Sequence, residues 1–121
     1  MKKTFRPLPI MIVLLFCFAA TVANAQSPTV KIALENEKTK VLNIELKPGD
    51  FAPTHSHPDH LIYVLSAGKL EVTDQGKQPQ VFDFKEGDTK WISAVTHTVK
   101  NIGSTTVKIL MVEFKPDAVK K

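Results

Sequence analysis

The chain has 121 residues, a length that suits one domain, and its 16 basic residues outnumber its 12 acidic ones. Three of the basic residues precede an apolar N-terminal segment. Without them the balance is 13 to 12, which predicts no basic surface for nucleic acid. The single cysteine, Cys17, lies inside the apolar segment, so the rest of the chain cannot be a disulfide scaffold.

The N-terminal segment has the pattern of an export signal. Lys2, Lys3 and Arg6 precede an apolar stretch over residues 10–22, and Ala23-Asn24-Ala25 supplies the small residues of a signal-peptidase site. The apolar stretch is shorter than the ~20 residues that a membrane-spanning helix needs, and an uncleaved anchor is the alternative.

This pattern predicts a signal peptide over residues 1–25 and a single domain over residues 26–121, with its core at about 41–114. The Lys-rich start and the Ala-x-Ala ending are typical of bacterial export. We therefore expect a periplasmic protein, with secretion as the alternative, and no membrane association after cleavage.

The exported part consists of short β-prone segments separated by turn signals at Lys47–Asp50, Asp74–Lys77 and Lys85–Asp88. No stretch has a sustained helical period, so we expect an all-β protein, an antiparallel sandwich or barrel. The tail Lys115–Lys121 is expected to be frayed or a single helical turn. The predicted strands are Thr29–Leu34, Lys40–Leu46, Leu61–Leu65, Lys69–Thr73, Val81–Phe84, Thr89–Ile92, His97–Ile102 and Val107–Phe114.

All four histidines, His55, His57, His60 and His97, fall in two short segments, and the first three form His-x-His-x-x-His. Neutral imidazole is the commonest metal ligand of proteins near neutral pH. On a strand, His55 and His57 would point to the same face, about 6–7 Å apart at Cα, and could converge on one ion. A solvated polar turn is the alternative, but it leaves the clustering unexplained.

These motifs resemble those of the cupin superfamily over roughly Val41 to Phe114. The first motif is carried by Gly49, His55-x-His57 and Gly68, and the second by Gly87-Asp88, Trp91, His97 and Asn101. Ser93-Ala94-Val95 stands where the family usually has Pro-x-Gly. The resemblance implies a small antiparallel β-barrel of the double-stranded β-helix (jelly-roll) type, with His55, His57 and His97 pointing inward onto a divalent transition metal.

The family's acidic ligand is missing. Cupins usually have a glutamate three or four residues after the second histidine, where this chain has Leu61 and Ile62. If the strand containing Tyr63 is matched to the strand that follows the glutamate in many cupins, His60 takes the place of that glutamate. The predicted metal ligands are then His55, His57, His60 and His97, with a three-histidine site as the alternative.

An all-histidine site suits Fe, Zn, Cu or Ni better than Mg or Ca, without distinguishing among the four. Its uncompensated charge would favour a small anionic or oxygen-rich molecule. The resemblance implies a metal-dependent dioxygenase or isomerase, or else a non-catalytic module that binds a metal or small ligand. No catalytic residue is predicted. Trp91 and Tyr63 are interpreted as core or interface aromatics and Asn101 as a hydrogen-bonding residue, and exposed strand edges with the family pattern predict a homodimer.

The export hypothesis predicts a mature N-terminus at Gln26, because Ala23 and Ala25 occupy the small-residue positions before it. The intact mass of the protein from its native source measures this directly. A mass that corresponds to the chain from Met1 would contradict both the cleavage and the localisation.

Overall fold

A computed structural model describes residues 2–4 and 25–116, and the chain within these ranges is built from β-strands. No helix in these ranges is long and apolar enough to cross a membrane. Most of the predicted leader and most of the predicted tail lie outside the described residues. The strands are β1 (Thr29–Glu35), β2 (Thr39–Leu46), β3 (Phe51–His57), β4 (His60–Ser66), β5 (Gly68–Asp74), β6 (Gln80–Phe84), β7 (Thr89–Ile92), β8 (Val95–Asn101) and β9 (Val107–Phe114).

The strands form two antiparallel sheets. The larger sheet has the order β1-β2-β9-β4-β7, and the smaller has the order β3-β8-β5-β6. Neighbours in each sheet are mostly distant in sequence, as in a jelly roll, so the predicted all-β jelly-roll fold is confirmed. Strand pairing within the described residues leaves the two sheets as separate layers instead of one closed barrel.

The core lies between the inner faces of the two sheets. Alternate residues of β2, β4 and β9 point inward from the larger sheet, and β5 and β6 contribute Leu70 and Phe84 from the smaller one. Val64 and Val107 are fully buried at its centre. The other buried apolar residues are Leu42, Leu46, Ile62, Ile109 and Met111.

Eight of these strands correspond to predicted segments. The strand that apolar alternation did not identify is β3, which contains Pro53 and is rich in polar residues. Its register with β8 shifts between Ala52 and His55, so one extra residue is accommodated there as a β-bulge. The three predicted turns are present, and Gly49, Gly76 and Gly87 adopt the positive φ angles that those turns require.

Asn101, at the end of β8, is a hydrogen-bonding residue of the fold, as expected. Its side chain is almost completely buried. The Nδ2 atom donates to the carbonyl oxygens of Leu46 and Thr105, each at 2.9 Å, and Oδ1 accepts from the amide of Gly103 at 2.9 Å. One side-chain amide therefore connects, through hydrogen bonds, the ends of β2 and β8 and the loop that leads to β9.

Asn101→Ala should lower the free energy of unfolding by about 2–4 kcal/mol, because the buried backbone groups that it satisfies lose their partners. Denaturant unfolding measures the difference. Asn43→Ala is the matched control, since Asn43 is exposed and should change stability by less than about 0.5 kcal/mol. Equal losses in the two variants would contradict the role of Asn101.

Candidate metal centre

His55 and His97 face each other across the pairing of β3 with β8. They are direct partners in the register, and their Nε2 atoms lie 3.1 Å apart. Two nitrogens that bind one ion at 2.0–2.1 Å lie about 2.9–3.4 Å apart when the nitrogen–metal–nitrogen angle is between the octahedral and the tetrahedral value. The distance between these two imidazoles is therefore that of two ligands of one metal.

The bulge in β3 brings His55 to this position. Ala52 pairs with Val99 and His55 with His97, so three residue steps on β3 correspond to two steps on β8. Without the extra residue, His55 would point to the opposite face, since successive side chains alternate. His57 follows two residues later on the same face.

Three histidines form one compact group. The ligating nitrogens of His55, His57 and His97 all lie within 4.8 Å of one another. The ring centroid of His55 is 4.7 Å from those of both His57 and His97. The structure thus brings together the three histidines that the cupin resemblance placed at a metal, and they could hold one ion.

His60 lies next to this group. It begins β4, points inward with no exposed surface, and its ring centroid is 5.0 Å from that of His57. Its Nε2 is buried and lacks a hydrogen-bond partner. Leu61, the residue at the usual acidic position, points to the outer face of the sheet. The inward position is therefore filled by a nitrogen donor, and its membership of the ligand set stays a prediction.

Hydrogen bonds to the Nδ1 atoms determine the tautomer of three of these histidines. His55 Nδ1 donates to the carbonyl oxygen of Pro53 at 2.7 Å, and His60 Nδ1 donates to that of Pro58 at 2.8 Å. Carbonyl oxygens only accept, so each Nδ1 carries the proton and each Nε2 keeps its lone pair. His57 has the same arrangement with a carboxylate: its Nδ1 lies 2.7 Å from Oε1 of Glu113.

Glu113 is a site residue that the sequence reasoning did not identify. It lies on β9, directly opposite His60 in the register, and both Glu113 and His57 are largely buried. The sequence contains a signal for it in β9. Every second residue of this strand points inward, and Glu113 is the next such residue after Val107, Ile109 and Met111. A carboxylate behind a ligating imidazole orients the ring and raises its basicity.

Burial lowers the pKa of two of the imidazoles. The pKa of His97 falls to about 4, chiefly because burial disfavours the imidazolium and also because His55 and His57 add like charge. Asp74 Oδ1, at 3.8 Å from His97 Nδ1, opposes this shift. Burial also lowers the pKa of His57, although the hydrogen bond that its Nδ1 donates to Glu113 opposes this shift. Both rings are therefore held in the neutral form that binds metals.

A cavity of about 500 Å³ lies between the sheets and has the histidines in its wall. Most of the remaining wall is apolar, with Leu42, Ile62, Val72, Phe82 and Ile109 among the lining residues. Asp74 and Lys90 are the charged lining residues in the described part of the chain, and Lys90 Nζ lies 4.2 Å from the Phe82 ring centroid. The cavity is large enough for a small organic molecule with an apolar body.

The cupin domain family model matches residues 42–113, which is more than half of the chain. The fold, the glycine turns and the three converging histidines agree with this match. The chain therefore belongs to the cupin family. A search among curated proteins finds no match.

Solved cupin structures have the same fold. A cupin domain protein from Bordetella pertussis Tohama I has a TM-score of 0.71 at 20% identity, over 77% of this chain and 98% of that one. An RmlC-like cupin with a double-stranded β-helix fold from Methanocaldococcus jannaschii has a TM-score of 0.59 at 18% identity, over 76% and 84%. A cupin superfamily protein from Desulfitobacterium hafniense DCB-2 has 0.59 at 16%, over 94% of both chains. At these identities the similarity establishes the fold alone.

The lowered histidine pKa values predict that the metal-free protein loses stability as the pH falls. Unfolded histidines bind protons below about pH 6.5, whereas folded His97 stays neutral to about pH 4. Stability should therefore be complete above pH 6.5 and fall between pH 6.5 and about 4, by up to about 1.4 kcal/mol per pH unit for each such histidine. Urea unfolding across this range measures the slope, which His97→Asn should make shallower. A slope of the opposite sign would contradict the assignment.

Glu113→Ala should weaken Zn²⁺ binding by about 10–100-fold, because His57 loses the partner that orients its ring. Glu113→Gln keeps an acceptor oxygen and should lose less. Competition with a chelator at fixed pH gives the affinities. Glu71→Ala, on the outer face of the smaller sheet, is the matched control and should bind as the unchanged protein does. Unchanged affinity in Glu113→Ala would remove this residue from the site.

Proposed function

We propose that this cupin binds a divalent transition metal through His55, His57, His60 and His97 and uses it on a small molecule held in the adjoining cavity. The observation that carries the proposal is that His60, which lines the cavity, has a buried Nε2 without a hydrogen-bond partner. A buried polar atom of this kind is costly unless something binds it. A metal shared with the three converging histidines would satisfy it.

The donor set favours Fe, Zn, Cu or Ni, since imidazole nitrogen suits these ions. Nδ1 hydrogen bonds leave the Nε2 lone pairs of His55, His57 and His60 available for the metal. Glu113 and Asp74 lie on the Nδ1 side of His57 and His97 and offset part of the positive charge. One oxygen donor from the bound molecule is then enough, and a highly charged substrate is not required.

The cavity supports a substrate with an apolar body and an oxygen-bearing end. Apolar lining would exclude water from the bound molecule, and the histidine wall would position its oxygen donor. Lys90, whose Nζ lies over the Phe82 ring, provides a cation for a carboxylate or enolate at the opposite part of the molecule. Small phenols, diketones and related enols have these properties.

Dioxygenation is the reaction that we favour over isomerisation. Moving a proton between two carbons needs an acid and a base at the substrate, whereas the carboxylate nearest the histidines, Glu113, is hydrogen-bonded to His57. The metal would supply Lewis acidity and a site for O₂. The residues themselves would hold the substrate, exclude water and keep the imidazoles neutral.

A non-catalytic binding module is the second candidate. It is favoured by the placement of the Glu113 and Asp74 carboxylates on the Nδ1 side of His57 and His97, away from the Nε2 atoms. Oxygen consumption by the Fe(II)-loaded protein with a panel of diketones, phenols and thiols separates the two. Uptake of O₂ with one substrate class supports the dioxygenase, while metal binding without uptake across the panel supports the binding module.

His60→Ala should weaken metal binding at least tenfold, or by about 1.4 kcal/mol, because a buried donor is removed. His60→Glu should retain binding, since carboxylate oxygen is an acceptable donor for the same metals. The neighbouring Leu61→Ala is the control, because Leu61 points away from the cavity and should leave affinity unchanged. Metal stoichiometry and affinity of the three variants, measured at fixed pH, test whether His60 is a ligand. Unchanged affinity in His60→Ala would leave a three-histidine site.

Export to the periplasm remains part of the proposal, supported by the N-terminal sequence pattern. A cysteine-free domain of near-neutral charge, with a small-molecule cavity and no sequence feature for nucleic acid, suits a small-molecule function in that compartment.

A further inference from the structure

Lys90 is an inward-facing cation on an edge strand. It is paired with Ile62, a core residue that is 4% exposed, and directly paired residues share a face of the sheet. Its strand, β7, stands last in the order of the larger sheet. Lys90 therefore enters the space between the sheets from the side, and its side chain is among those that line the cavity.

The side chain of Lys90 reaches the opposite sheet. Its Nζ lies 4.2 Å from the ring centroid of Phe82, which belongs to β6, the last strand of the smaller sheet. Phe82 is itself stacked on the buried Phe84, with the centroids 5.6 Å apart and the planes at 13°. A cation over an aromatic face is attracted by the ring quadrupole. The ammonium group is therefore positioned between the edge strands of the two sheets.

Edge protection is the alternative role for this lysine, because an inward-pointing charge on an edge strand discourages pairing with strands of other molecules. That role requires only a charge in solvent. Here the ammonium lies against a ring that lines the cavity, and Gln80, two residues before Phe82 on the same face, adds a second polar group to this wall. The contact with the cavity wall favours ligand binding.

The other edge of the cavity is apolar. Pro28 and Val30 line it at β1, the strand at the opposite end of the larger sheet, and Val30 is paired with Ile44, a further lining residue. Ala52 and Pro53 line it from β3, the strand at the corresponding end of the smaller sheet. One edge of the cavity is thus cationic and the other apolar, a polarity that fits an amphipathic anion.

The charges of the wall favour an anion with a single negative charge. Asp74, the other charged lining residue, has Lys77 Nζ at 3.9 Å and His97 Nδ1 at 3.8 Å. In the described part of the chain, Lys90 takes part in no ion pair, so its ammonium is available to an anionic ligand. One ammonium group balances one carboxylate.

The spacing along β7 fits a ligand with a body of about one ring. Ile92, which is paired with His60, lies two residues beyond Lys90, so the two positions are offset by about 6–7 Å along the strand. This offset is close to the length of a six-membered ring with a substituent at each end. A molecule of that size could place an oxygen donor at the histidines and a carboxylate at Lys90.

We propose that the cavity binds an apolar monocarboxylate, whose carboxylate pairs with the Nζ of Lys90 and whose body lies along the apolar wall beside the histidines. Lys90 is then the residue that selects the substrate. The inference deepens the proposed function and rests on the small-molecule binding stated there, since it narrows the phenols, diketones and enols to those that carry a carboxylate. The pairing with Lys90 itself does not require the metal.

The test compares the binding of cyclohexanecarboxylate and of its neutral analogue, cyclohexanecarboxamide, to the purified metal-free protein at neutral pH and low salt, where screening is weak. Neither probe absorbs where tryptophan is excited. Trp91, the single tryptophan of the chain, is next to Lys90 and also borders the cavity, so its fluorescence follows binding. Trp91 is 57% exposed and Tyr63 is 41% exposed, so both aromatics lie outside the core.

The unchanged chain should bind the carboxylate at least about tenfold more tightly than the amide. Lys90→Gln should abolish this preference by weakening carboxylate binding alone, whereas Lys90→Arg should retain it. Lys31→Gln is the matched control, because Lys31 lies on the other edge strand of the same sheet, between inward-facing residues, and points to the outer face. It should bind both probes as the unchanged chain does. Far-ultraviolet circular dichroism verifies that each variant is folded.

Equal affinity for the two probes would overturn the proposal, and so would the absence of binding at millimolar concentrations. A preference that survives in Lys90→Gln would also overturn it, because the anion would then lie elsewhere, and edge protection would be left as the role of the lysine. Zn²⁺ affinity, measured separately on the same variants, should not depend on Lys90. A failure of the metal site is therefore distinguishable from a failure of the carboxylate site.

Discussion

The site depends on the hydrogen bonds that bind the Nδ1 atoms of its histidines. Pro53, Pro58 and Glu113 each provide an acceptor, so the proton of His55, His60 and His57 lies away from the centre. Each Nε2 is then a lone-pair donor before any ion arrives. Two of these bonds are local, within a repeated Pro-x-His sequence, and the third joins residues on separate strands. The low pKa values of His57 and His97 have a separate cause, which is burial, and the hydrogen bond to Glu113 opposes the shift at His57.

The register of β4 determines which of its side chains meets the cavity. The inner face of the larger sheet carries His60 and Glu113 together with the core, while the outer face carries Leu61, Val112 and Trp91. Because side chains alternate along a strand, a slip of one residue in β4 would exchange histidine for leucine in the cavity.

Much of the fold could be predicted from the sequence because apolar alternation and turn glycines are local signals. The strands β4 and β9, and the turns at Gly49 and Gly76, lie where those signals placed them. The strand β3 was not predicted, because Pro53 and the bulge interrupt the alternation of apolar and polar residues along it. The histidine cluster was still recognisable because His-x-His spacing depends on β geometry alone.

The sequence by itself determined the candidate metal donors, the all-β architecture and the turn positions, since each depends on residues close together in the chain. Only the tertiary structure decided that Glu113 meets His57 and that the Nε2 of His60 is buried without a hydrogen-bond partner. These features arise from the strand order, which places β9 between β2 and β4. Local periodicity reports which side of a strand a residue occupies, but long-range pairing determines which residues it meets there.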